Sequence, residues 1–92
     1  MKSDSLYTEV RQNVKEVALM MDKDVPGWAG FVTKPIQMLS IDNCPLGQVY
    51  GDWRVGLVRL GLYGTHYTVP ASYSANAKPY WEKEIARRCK AQ

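Results

Sequence analysis

The stretch Asn43-Cys44-Pro45-Leu46-Gly47-Gln48-Val49-Tyr50-Gly51-Asp52-Trp53 decides how this chain is built. Asn43, like Asp42 before it, can cap a helix by accepting hydrogen bonds from free backbone N–H groups. Pro45 suits the first helical turn, where its missing N–H would go unpaired in any case. A helix is therefore predicted to start at Cys44 or Pro45, with Leu46, Val49, Tyr50 and Trp53 at helical spacing. Gly47 inside such a helix would cost about 1 kcal/mol relative to alanine, a cost that close backbone packing would justify. Gly51 divides the stretch into two short helices, with Asp52 capping the second. The second helix is expected over Trp53 to Leu60, with Trp53, Leu57 and Leu60 on one side and Arg54 and Arg59 elsewhere.

A longer helix is expected upstream, over about 5–23. Tyr7, Val10, Val14, Val17 and Met21 recur at spacings of three and four, and Leu6, Ala18 and Met20 widen the stripe. Asp4 or Ser5 can cap its start. Pro26 disfavours helical geometry at Val25, and Gly27 permits the turn that follows. The same apolar positions fit a heptad seam, but over a run too short to sustain a coiled coil alone. Trp28 is expected to fold back on this helix and cap the core. Pro35 interrupts the apolar residues between 29 and 41, and a short helical turn followed by an extended connection is expected there.

Downstream, Pro79 opens a closing helix through Tyr80, Trp81, Ile85 and Cys89. Trp81 shares a stripe with Ile85 and reads as core. Glu82 and Glu84 near its start and Arg87, Arg88 and Lys90 near its end complement the helix dipole. At i,i+4 spacing Glu84 attracts Arg88, and Lys83 repels Arg87. Residues 70–77 read as a small polar loop. The fold class expected is mainly α, a single small domain spanning 1–92 with three to five helices, the first and last long. The alternative is α+β, because residues 55–69 carry glycines, valines and a β-forming run that also suit a short hairpin.

Composition bounds the chemistry. Ninety-two residues make one small domain, and 46% apolar content is enough for a core. A formal net charge of +3 permits a polyanionic partner without demanding one. Two cysteines are fewer than a secreted disulfide scaffold of this length would carry. With no apolar run of signal-peptide length after Met1 and no membrane-spanning stretch, the expectation is a cytoplasmic protein with reduced thiols. A Cys44–Cys89 disulfide stays geometrically open.

Cys44 is the sharpest chemical candidate, since a cysteine at a helix N-terminus can have a lowered pKa. His66 is the one histidine, and a Cys44–His66 dyad with Asp52 or Gln48 nearby can be drawn. Free cysteines are more often small buried hydrophobes, and Cys44 is read that way. Cys44, Cys89 and His66 lack metal-ligand spacing, and no phosphate-cradling glycine loop is present, so neither metal nor cofactor is expected. Nothing in the spacing pairs Asp42 with Asp52 for acid–base work.

The succession Pro26-Gly27-Trp28, then Cys44-x-Leu46-Gly47-Gln48-x-Tyr50-Gly51, then a closing helix with Trp81 and Arg87-Arg88, resembles small proteins of actinobacteria and their phages that have no assigned activity. The similarity covers most of the chain. It implies a compact cytoplasmic accessory protein that a phage could encode. The first functional expectation is a non-enzymatic interaction protein that binds or modulates another protein through Gln48, Tyr50, Asp52 and Trp53, tyrosine and tryptophan being enriched at interface hot spots. The alternative is a nucleic-acid-binding accessory protein that uses Arg87, Arg88 and Lys90 on the closing helix. No membrane partner is expected, and a homo-oligomer is left open.

Overall fold

The computed structural model describes residues 2–68, 71 and 74–90, with side chains from Glu9 onward. Four α-helices form a small all-α domain: α1 (Lys2–Asp24), α2 (Pro45–Tyr50), α3 (Trp53–Leu60) and α4 (Lys78–Lys90). Short 3₁₀ turns lie at Trp28–Phe31 and Ala75–Ala77. Helix α1 starts ahead of the expected position, so Asp4 and Ser5 stand inside its first turns. Their side chains, and those of Leu6 and Tyr7, lie outside the described residues, as do Val69, Pro70, Ser72 and Tyr73 of the anticipated loop and hairpin.

The α1 stripe is buried as its spacing requires: Val14, Val17, Ala18 and Met21 are fully enclosed and Val10 is half-buried. Chain reversal after Asp24 brings Trp28 under α1. There its indole N–H donates to Asp22 Oδ1 at 2.8 Å. Trp81 comes in from α4 and meets Trp28 edge to face, with ring centroids 5.9 Å apart and an interplanar angle of 85°. Such pairs add about 0.5–1.5 kcal/mol beyond the area they bury. Leu46 and Cys44 from the α2 side and Leu57 from α3 complete one continuous core. The radius of gyration is 12.1 Å, close to the roughly 12 Å expected of a compact chain this long.

The hairpin alternative for 55–69 is not what forms. Two of its three glycines serve helix geometry instead. Gly56 lies inside α3, where an added Cβ would stand 2.7 Å from the Tyr50 ring and 2.8 Å from Leu46. Gly61 ends α3 in the left-handed region at φ 71°, and the Leu62 N–H closes back on the Leu57 carbonyl at 2.8 Å. This is the usual glycine exit from a helix, which satisfies carbonyls left without intrahelical donors. Among the described residues there is no strand, and residues 62–67 run in turns. No described helix is long and apolar enough to cross a membrane.

Candidate functional site

The α2–α3 corner is built from its caps. Cys44 is the N-cap of α2, and its Sγ accepts a hydrogen bond from the Gly47 N–H at 3.3 Å. Asp52 is the N-cap of α3, accepting from the Arg54 N–H at 2.8 Å while pairing with the Arg54 guanidinium at 2.9 Å. Gly51 sits between the helices at φ 90°, a conformation that favours glycine. The corner fits tightly because Gly47 has no side chain: a Cβ there would meet the Ile41 carbonyl oxygen at 2.5 Å and Asp42 Cα at 2.7 Å.

Gln48 clamps the incoming loop onto this corner. Its Nε2 donates to the carbonyls of Lys34 and Asn43, each at 2.9 Å, and its Oε1 accepts from the Lys34 N–H at 2.9 Å. The Trp53 N–H holds the Ile41 carbonyl at 3.1 Å. Pinned at Lys34, Ile41 and Asn43, the 31–43 segment arches over the start of α2. Phe31, Thr33, Lys34, Asp42, Gln48 and Gly51 line a shallow groove of about 220 Å³ beneath it. On this segment Phe31 is 58% exposed, Leu39 62% and Ile41 56%. Leu39 is the one non-glycine residue among those described with positive φ, at 71°. It falls in a turn closed by the Ser40 N–H on the Gln37 carbonyl at 3.2 Å. At that turn position glycine is the ordinary occupant.

The four residues assigned to a protein-binding surface from sequence have internal work. Gln48 clamps the loop, and Asp52 caps α3. Tyr50 is half-buried, its hydroxyl donating to Asp24 Oδ2 at 2.9 Å. Burial and the neighbouring Asp24 carboxylate both push the Tyr50 hydroxyl pKa up. Trp53 is half-buried against the core. Three of the exposed large apolar side chains, Phe31, Leu39 and Ile41, lie on the adjoining loop, and Val55 and Val58 are exposed on α3. The sequence did show them as large hydrophobics, but without a period that would say which of them face inward.

Cys44 and His66 do not make the dyad the sequence allows to be drawn. The Cys44 thiol is enclosed, and burial pushes its pKa up even though backbone N–H groups pull the other way. His66 is exposed and lies against the Tyr67 ring at 4.0 Å. Cys44 and Cys89 are both free. Among the described residues no three His, Cys, Asp or Glu side chains converge as metal ligands do.

The closing-helix bases divide into two kinds. Arg88 is structural. It pairs with Asp22 through Nε at 2.9 Å and Nη2 at 2.8 Å, and its Nη1 donates to the Glu84 side chain at 2.9 Å. Its guanidinium also lies 5.3 Å from the centroid of the Trp28 ring. The hydrogen bonds from Arg88 hold the Asp22 carboxyl below its usual range. Arg87 and Lys90 are exposed, Arg87 reaching Glu84 at 3.4 Å. Compared with known proteins, the chain matches no family model, no curated protein and no solved structure.

Proposed function

We propose that this is a non-enzymatic accessory protein that binds another protein through the 31–41 loop. Leu39 is the observation that carries the reading. A leucine held in the left-handed region costs about 1 kcal/mol or more relative to a permissive residue. Its side chain is largely exposed and so returns little of that cost to the domain itself. Strain of this kind gathers where a surface is used. Phe31 and Ile41 flank it with more exposed apolar area, and the Gln48 clamp fixes the loop's path before any partner arrives. Pre-ordering of this sort reduces the entropy lost on association. The enclosed Cys44 thiol supports a role without nucleophilic catalysis.

The test is affinity capture from cell lysate, with and without nuclease, using wild type, Leu39→Asn and Phe31→Ser. Asparagine tolerates positive φ, so Leu39→Asn keeps or raises the melting temperature while the captured protein is lost. Capture that both folded variants retain, or that nuclease abolishes, overturns the reading.

A further inference from the structure

We propose that the groove between α1 and α4 binds single-stranded nucleic acid through its phosphates. The inference rests on different residues from the protein-binding reading and goes beyond it. Arg11 and Lys15 stand one turn apart on α1, and Lys83 and Arg87 one turn apart on α4. All four line one groove of about 340 Å³, together with Gln12 and Tyr80. A helix rises about 1.5 Å per residue, so each wall carries two cations roughly 6 Å apart.

Of the four cations in this groove only Arg87 has an ion-pair partner among the described residues, Glu84 at 3.4 Å. Among the described residues Glu84 is the only carboxylate lining it; it is almost fully buried and is already engaged by Arg88 and Arg87. Arg11, Lys15 and Lys83 have no ion-pair partner among the described residues. Like charges one helical turn apart repel, and here two such pairs face each other. Farther along the same helices Asp22 and Glu84 both pair with Arg88. Among the described residues Arg11, Lys15 and Lys83 are not paired in this way, which leaves the groove with a cationic excess suited to an external polyanion.

The shape narrows the choice. Two parallel lines of cations suit a chain of phosphates better than one isolated phosphate. A groove this small has no room for a duplex, and the half-buried Tyr80 on its wall sets an aromatic ring beside the cations, the pairing of residue types that single-strand binders use. Of the bases that the sequence put forward for nucleic acid, Arg87 takes part, Lys90 lies just beyond, and Arg88 is committed to Asp22 and Glu84.

The probe is a fluorescein-labelled twelve-residue oligothymidylate, followed by fluorescence anisotropy in 50 and 200 mM salt. Three or four phosphate contacts on a single strand give a log–log salt slope of about −2 to −3, so affinity falls roughly 20- to 50-fold between these salts. The double variant Lys15→Gln/Lys83→Gln changes exposed residues without ion pairs. It melts as the wild type does, flattens the slope by about 1.4 and weakens binding at least tenfold. The proposal is overturned by any of four results: no binding at 50 mM salt, a double variant that binds like wild type, equal displacement by polyglutamate, or a preference for duplex DNA.

Discussion

At Gly47 a single added methyl group would stand 2.5 Å from a backbone oxygen that cannot swing aside. Gly47→Ala is therefore expected to lower the unfolding free energy by about 1–3 kcal/mol in urea denaturation, although alanine gains roughly 1 kcal/mol in helix propensity. Gly30→Ala is the control, because a Cβ there meets open space; its midpoint should stay near that of wild type. The need for glycine at position 47 was legible in the sequence, since a glycine inside a capped helix has to be explained by packing. Leu39 was not legible. Nothing in the letters around it announces a positive φ, which arises only because Gln48, Trp53 and Gln37 pin the loop at both ends of the turn. The hydrogen bond of Tyr50 to Asp24 was not legible for a related reason. A tyrosine's value at an interface and its value as a half-buried hydrogen-bond donor leave the same trace in composition, and the Asp24 partner lies 26 residues away in the chain.

At the scale of the element, the last turn of α1 is the fold's fastening. Asp22 and Asp24 sit at a helix C-terminus, where the dipole disfavours negative charge. They are stabilised by tertiary partners: Asp22 by Arg88 and the Trp28 N–H, Asp24 by Arg59 at 3.0 Å and the Tyr50 hydroxyl. Both carboxyl pKa values are held below the usual range, chiefly by these hydrogen bonds. A depressed folded-state pKa gives stability that is fully present above the unfolded value, roughly pH 4, and lost as pH falls through the folded value. Thermal melts should show this loss below about pH 4. Asp22→Asn/Asp24→Asn should be less stable than wild type at pH 7, with the gap closing on acidification; a gap constant with pH would refute the assignment. Arg88→Met strands the buried Glu84 carboxylate and should cost about 3 kcal/mol or more, whereas Arg88→Met/Glu84→Met should recover much of that loss in urea denaturation. From sequence, Arg88 reads as ordinary dipole chemistry at the end of a basic helix. Its attraction to Glu84 is local and was visible at i,i+4, while its pairing with Asp22 depends on how α1 and α4 pack.

At the scale of the whole molecule, the helices, the Asp52 cap and the core roles of Trp28 and Trp81 could be read from spacing and punctuation, whereas the α2 cap expected at Asp42 or Asn43 falls on Cys44, whose Sγ takes the Gly47 N–H. The α3 hairpin ambiguity could not be resolved locally, because Gly56 and Gly61 signal equally well for a turn in a sheet and for close packing plus a helix exit. Nor could the α1–α4 groove be seen: Arg11 and Lys15 look like solvated surface until Lys83 and Arg87 are laid beside them. The Asp22–Arg88 link joins positions 66 residues apart. At a synthesis rate of about 5–20 residues per second, the ribosome needs roughly 3–13 s to deliver Arg88 after Asp22. For that interval the nascent chain holds α1 without its closing partner, its valine stripe and Trp28 lacking the Trp81 cover, while the α2–α3 corner and its partner Asp24 are synthesised before Arg88. The newborn protein therefore passes through a stage in which its middle can order before its first helix is sheathed, and that is when it is most open to chaperones and to self-association.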